Sequence, residues 1–322
     1  MNGRMRSWFR AETLVAAVVA IVAAVIALTQ GTRNRPAVVN DGSIEEPASH
    51  HPIAGGEFEA SGVAHVPGSD ALLILDDDTT GEIFLVEIAA DGSQKGDAMP
   101  VALGADVTDM EGITSDGTWF YVVGSQSKPV GFDGDGLVRF KFDAVTRQVE
   151  GMERIRELKT WLAENVAELH GTGSQIGDHV LNIEAIAWDA RGGRLLLGLR
   201  APVPDGQALV IPIRLVDPAA PLSRENIATD GPALRIDLGG AGIRSLEYDS
   251  ALDTFRLVTG ASLNEETEDF RLVEWSGRSG DPVRDIAVYS RTVKPEGITR
   301  AEIHGRSTNV LVFDVGSFSL VD

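Results

Sequence analysis

One phrase recurs five times along the chain, and a recurring phrase constrains a fold more tightly than any single motif. It runs polar residue, tiny residue, branched apolar residue, then a turn and a second apolar stretch. It reads SGVAHVPGSDALLILDD from Ser61, EGITSDGTWFYVVGS from Glu111, EAIAWDARGGRLLLGLR from Glu184, RSLEYDSALDTFRLVTG from Arg244 and EGITRAEIHGRSTNVLVFDVG from Glu296. Successive starts lie 50, 73, 60 and 52 residues apart. Each phrase encodes two β-strands joined by a tight polar turn, and apolar third strands follow at Glu82–Ile88, Leu137–Phe142 and Phe270–Trp275.

Units of about 50 residues with three or four strands have the size of propeller blades. Solenoid repeats are usually shorter, and a (β/α) barrel needs a helix after every strand. The expected fold is therefore an all-β propeller of five blades, or six if one unit has diverged, with one inserted α-helix. That helix is expected over Glu153–Leu169, where Ile155, Leu158, Trp161, Leu162, Val166 and Leu169 form one stripe, and it accounts for the longest spacing. The last phrase runs out at Asp322 without outer strands. Residues just before Ser61 are expected to complete that blade and close the ring.

Charge divides the chain differently. Of 322 residues with a formal net charge of −20, the first 36 carry five arginines and one acid, so the remainder holds −24. Between the two regimes lies LVAAVVAIVAAVIAL, Leu14 to Leu28, behind a basic stretch containing Arg4, Arg6, Trp8, Phe9 and Arg10. That layout predicts an N-terminal signal-anchor or signal peptide over residues 1–30, with membrane contact through residues 14–28. The acidic domain is then extracytoplasmic, periplasmic or at the cell surface, and secreted if the segment is cleaved. Residues 31–56, rich in Gly, Pro, Asn and Ser, read as a flexible linker containing the His50-His51 pair, which leaves 57–322 for the propeller.

Composition also excludes functions. With no cysteine there is no disulfide framework, thiolate nucleophile or cysteine-ligated metal. A sequence pI near 4.6 argues against nucleic acid as a partner. Neither a Gly-x-Ser-x-Gly elbow, nor His-Glu-x-x-His, nor a phosphate loop is present.

Antiparallel geometry puts the start of each first strand and the end of each second strand on the same rim. One channel mouth should thus collect Ser61, Glu111, Glu184, Arg244 and Glu296 together with Asp76, Asp77, Asp78, Arg200 and Asp314. The longer connections Ser125–Gly136, Arg200–Gln207 and Ala261–Asp269 fall on this rim as well, and the helical insertion could cover it as a lid. Glu111, Glu184 and Glu296 fit either of two roles. They could close blade against blade with Arg200 and Arg244 as ion-pair partners, or bind a ligand or act in catalysis.

A sharper local pattern is DDDTTGEI from Asp76, with Glu87 at the twelfth place. Asp76, Asp78, Thr80 and Glu82 repeat the oxygen spacing of a calcium loop, although the flanks are strands, so a plain hairpin turn is the alternative. Asp133 and Asp135 in GFDGDG are a weaker version, and His170 and His179 lack a diagnostic ligand spacing.

The phrases EASGVA, LDDDTTGEIFLVEI, DMEGI, VVGSQS, NIEAIAWD, LLLGLRAP, GQALVIPIRL, GIRSLEYD and KPEGIT, in this order from Glu57 onward, resemble the bacterial family catalogued as domain of unknown function 3616. The resemblance implies a propeller-like β-fold in a neighbourhood that includes esterase-like-phytase domains, and no particular chemistry. The chain departs from the family's Glu-Gly habit at Glu184-Ala185 and at Ser61. Three readings follow: a binding module for an unknown small molecule or extracytoplasmic protein with calcium at its polar mouth, a metal-assisted hydrolase of phosphoesters or carboxylic esters, and a ligand-free scaffold. In the hydrolase, Glu111, Glu184 or Glu296 would be metal ligand or general base, and Arg200 or Arg244 an anion clamp.

Overall fold

A computed structural model describes residues 50–129, 136–177, 179–262 and 268–321. Strand β1 (His51–Pro52) comes first and is set aside until the ring closes. Blade 1 is the meander β2 (Ala60–His65), β3 (Ala71–Asp76), β4 (Glu82–Glu87) and β5 (Met99–Ala102). Blade 2 repeats it with β6 (Met110–Ser115), β7 (Phe120–Gly124), β8 (Gly136–Asp143) and β9 (Gln148–Arg156). In blade 3, β10 (Asn182–Asp189), β11 (Arg194–Ala201) and β12 (Gln207–Leu215) precede β13 (Ile227–Thr229) and β14 (Leu234–Asp237), which share the outer edge of β12. Blade 4 holds β15 (Gly242–Asp249), β16 (Thr254–Gly260), β17 (Phe270–Trp275) and β18 (Arg284–Tyr289). Blade 5 holds β19 (Pro295–Ile303), β20 (Arg306–Phe313) and β21 (Ser317–Val321), and β1 is its outermost strand.

The fold is thus a five-bladed all-β propeller, and each recurring phrase is the inner hairpin of one blade. The ring closes as the missing outer strands require, with His51 opposite Phe318 and Pro52 opposite Ser317. Blade 1 clamps the same segment through the Gln94 side chain, which exchanges hydrogen bonds of 2.9 and 3.0 Å with the backbone of Ala54. His50 and His51, placed in a linker by composition, instead pack their rings on Phe313 and Phe318.

Continuous apolar strands such as ALLIL in blade 1 exist because both faces of a blade are covered. Leu73 and Leu75 join a core shared with Phe120, Val122 and Phe140 of blade 2. Leu72 and Ile74, one residue out of step, join Val310, Val312 and Phe318 of blade 5. Near the axis the inner strands meet so closely that the tiny residue of the phrase is a steric requirement. A Cβ on Gly112 would lie 3.0 Å from the Ile186 nitrogen, and one on Gly297 3.1 Å from the Cα of Gly62. In blade 4 the same place is Ser245, whose hydroxyl accepts a 3.0 Å hydrogen bond from the Ile298 amide of blade 5.

The helical insertion is shorter than its stripe suggested. Residues 153–156 belong to β9, with Glu153 opposite Arg139 and Ile155 opposite Leu137, and α1 covers only Leu158–Asn165, followed by a 3-10 turn at Ala167–Leu169. Arg139 dictates the change: buried beside Trp119, it donates to Glu153 at 2.7 Å, which a helix through Glu153 would forfeit. Glu157, at φ 58°, separates strand from helix. Leu158, Trp161, Leu162, Val166 and Leu169 still bury one face against blades 2 and 3. Leu14 to Leu28 lies outside the described residues, and among the described residues no helix is long and apolar enough to cross a membrane.

Candidate functional site

All five inner hairpins break register at the same place. In blade 1, Ala60 pairs with Asp76 and Gly62 with Leu75, so Ser61 is skipped. Glu111, Glu184, Arg244 and Glu296 are skipped in the same way in the other four blades. Each is a β-bulge, a device that re-aims a side chain and ends regular pairing. All five bulged residues line one cavity of about 190 Å³ at the channel mouth, joined by Glu59, Ala60, Asp77, Arg200, Lys294 and Asp314. The expected convergence on one rim is therefore present for Ser61, Asp77, Glu111, Glu184, Arg200, Arg244, Glu296 and Asp314. Six carboxyl groups face three cations in this lining, so the mouth carries surplus acid.

The surplus is not shared evenly. Glu184, only 3% exposed, receives Arg200 on Oε1 at 2.8 Å and Arg244 on Oε2 at 3.1 Å. Arg244, only 4% exposed, also reaches Glu296 at 3.1 Å, and its guanidinium lies 5.3 Å from the centre of the Phe270 ring. Lys294 holds Asp314 at 2.8 Å. Every carboxylate contributed by blades 3 and 5 has a cation.

Blades 1 and 2 provide none. Among the described residues, no donor or cation lies within bonding distance of the side-chain carboxyls of Glu59, Asp77, Asp78 or Glu111. Oδ1 of Asp77 is fully buried without a hydrogen-bond partner. Burial pushes the Asp77 carboxyl up to about 7, with Glu59, Asp314, Asp78 and Asp109 adding repulsion. Burial, then the charges of Glu184, Asp109 and Glu296, drives Glu111 well above the usual carboxylate range. Glu59 rises as well, chiefly through repulsion from Asp78.

The calcium-loop spacing does not gather its own ligands. Asp76 is buried and bound into the turn, its Oδ1 accepting the Asp78 amide at 3.1 Å and its carbonyl the Thr79 hydroxyl at 3.0 Å. Thr80 and Glu82 are exposed, and Glu87 sits at the far end of β4, paired with Arg147 at 2.5 Å and Lys95 at 3.4 Å. A six-residue strand separates its ends by roughly 17 Å, so Glu82 and Glu87 cannot serve one ion. The carboxylates that do meet are Glu59, Asp77 and Asp78, with one oxygen of each within 4.8 Å of the others. Asp133 and Asp135 lie outside the described residues, and His170 and His179 are exposed.

Glu59, Asp109 and Lys294 bear on the charge of the mouth although the recurring phrase does not single them out. Each lies two places before a bulged residue, in the segment that leads into the inner strand, with Lys294 at φ 48°. Asp109, at φ 57°, accepts the Ser127 hydroxyl at 3.2 Å and the Ser125 hydroxyl, so these serines brace the rim and do not line the cavity. The helical insertion is pinned beside them: the buried Lys159 donates to the carbonyls of Lys128, at 3.1 Å, and Gln175. None of its described residues lines the cavity.

The model of a family described as "Protein of unknown function (DUF3616)" matches residues 175–315, which span blades 3 and 4 and the inner hairpin of blade 5. The family resemblance holds over that segment. No curated protein matches the chain. Among solved structures, the chain is distantly similar to the glutaminyl cyclase of Myxococcus xanthus, at 14% identity and a TM-score of 0.47, covering 85% of this chain and 96% of that one. It is similar at 10% identity, with the same TM-score of 0.47, to the holo pyranose dehydrogenase PQQ domain of Coprinopsis cinerea, covering 86% and 98%.

Proposed function

We propose that this propeller is a binding module whose funnel takes a small cation, with calcium the first ion to test. One observation carries the reading: at a single mouth, the acids of blades 3 and 5 are neutralised by Arg200, Arg244 and Lys294, while Glu59, Asp77, Asp78 and Glu111 are left to a charge from outside. Clustered carboxylates cost stability through mutual repulsion, and a bound divalent cation would relieve it. Hard cations prefer carboxylate oxygen and water, which is what this mouth offers. The membrane tether through residues 14–28, and with it an extracytoplasmic site, belongs to the same proposal: such compartments supply calcium at concentrations that a weak carboxylate site can use.

The test is isothermal titration of the purified full-length protein with calcium, magnesium and manganese at pH 7.5. Binding is expected for the wild type, with proton release seen as a dependence of the heat on buffer ionisation, because ligating carboxylates must be deprotonated. Asp77→Asn is expected to weaken binding at least tenfold. No cation-dependent heat in the wild type would overturn the reading.

The hydrolase reading draws on Glu111, whose carboxyl burial holds well above the usual carboxylate range, the direction a proton donor to a leaving group needs. Its anion clamp is weaker support, since Arg200 and Arg244 are already engaged by Glu184 and Glu296. Turnover of generic carboxylic esters or phosphoesters that Glu111→Gln abolishes would favour it over simple binding.

A further inference from the structure

Five-fold equivalence makes one position conspicuous. Four of the bulged residues, Glu111, Glu184, Arg244 and Glu296, are long and charged, and the fifth is Ser61. Its hydroxyl donates to the carbonyl of Met110 in blade 2 at 2.6 Å and is buried there. Blade 1 therefore sends no long side chain toward the axis from its bulge.

The cavity sits where that side chain is missing. Blade 1 provides four of its eleven lining residues, Glu59, Ala60, Ser61 and Asp77, and neighbouring blade 5 provides three more. Beside the cavity, Gly62 and Gly297, each next to a bulged residue, bring the inner strands of blades 1 and 5 into close contact. Among the described residues, Ala60 is the only apolar one in the lining, a surface better suited to an ion than to the carbon skeleton of an organic ligand. The volume of about 190 Å³ is room for several waters and far more than a bare metal ion fills.

Building on the cation reading above, we propose that Ser61 is the size-determining residue of the site: by being short, it opens a notch that admits a divalent cation together with part of its water shell. The carboxylates of Glu59, Asp77 and Glu111 take up one side of the cation, and the retained waters bridge to the remaining polar lining.

Filling the notch in steps tests this. Full-length Ser61→Thr, Ser61→Val and Ser61→Gln are titrated with calcium and with magnesium, and each variant is melted to confirm its fold. Affinity is expected to fall with side-chain volume, by about two- to threefold for Thr and at least tenfold for Gln, because the added atoms displace the ion's waters. Should Gln not fold, Ser61→Thr decides alone, since it adds one methyl and keeps a hydroxyl for the Met110 carbonyl. Equal affinities across folded variants, or a loss unrelated to volume, would overturn the notch while leaving the cation reading intact. A wild type that binds neither ion overturns both.

Discussion

Two arcs of one funnel are made from the same repeated element and treat charge in opposite ways. In the arc from blades 3 to 5, Glu184, Glu296 and Asp314 are each met by Arg200, Arg244 or Lys294. In the arc of blades 1 and 2, Glu59, Asp77, Asp78 and Glu111 have no such partner, and the carboxyls of Glu59, Asp77 and Glu111 are pushed upward. A buried carboxylate with a guanidinium on each oxygen is a strut that fastens blades together; a cluster of carboxyls left without cations beside it is a cost the fold carries for another purpose. The residues of the paired arc all lie within the segment 175–315 that matches the family model, and those of the unpaired arc precede it.

The contrast breaks most sharply at Arg244. Removing it as Arg244→Met leaves the buried Glu184 with Arg200 alone and Glu296 without this guanidinium, and it loosens the joint between blades 3, 4 and 5. Stripping one partner from a buried ion pair costs about 3–5 kcal/mol. Thermal and urea unfolding should show a loss of that order, whereas Glu111→Gln, replacing a carboxyl that has no cation partner by a near-isostere, should stay within about 0.5 kcal/mol. Equal losses in the two variants would mean that the arcs differ only in appearance.

Much of this was legible in the amino-acid order, for physical reasons. Blade number follows from the recurring tiny residue, since the inner strands meet closely enough that even a Cβ crowds its neighbour at Gly112. The shared rim follows from antiparallel pairing, which carried Ser61, Glu111, Glu184, Arg244 and Glu296 to one mouth. Three matters were not legible. The helix was overextended because Ile155 satisfies a helical stripe and a strand equally, and only the Arg139–Glu153 pair across β8 and β9 decides. Asp76, Asp78, Thr80 and Glu82 matched a calcium loop by spacing, but spacing cannot reveal that Asp76 is consumed by its own turn or that Glu59 arrives from the segment leading into β2. The division of charge was hidden as well, because pairing depends on which blade a cation leans toward.

A medium-sized effect should appear in the pH dependence of stability. Asp77 titrates at about 7 when folded and at about 3.9 in an unfolded chain, so between these values the folded protein retains a proton that the unfolded one has lost. Stability from this group is therefore full near pH 4, falls as pH rises toward 7, and is lost above it. Glu247, also pushed up to about 7 by burial but accepting hydrogen bonds from the Thr299 hydroxyl and the Arg300 amide of blade 5, contributes a slope of the same sign. Unfolding free energies between pH 4.5 and 8 should show a decline that Asp77→Asn reduces, and saturating calcium should flatten the Asp77 share alone. A decline unchanged by Asp77→Asn would assign the effect to Glu247 and weaken the contrast between the arcs.

The smallest expected effect lies at the seam where blade 5 meets blade 1. Lys294 holds Asp314 but also faces Glu59, whose carboxyl it partly offsets, so it bears on both arcs. The pair is partly exposed, and such pairs contribute about 0–1 kcal/mol, so Lys294→Met should scarcely move the melting temperature. It should, however, release Asp314 into the unpaired group and remove a charge that competes with an incoming cation. Calcium affinity is then expected to rise by about two- to fivefold at low salt and to lose most of that gain at high ionic strength, because a charge at the open mouth is screened. If Lys294→Met instead weakens binding, Lys294 is orienting Asp314 as a ligand, and the boundary between the two arcs runs on the other side of blade 5.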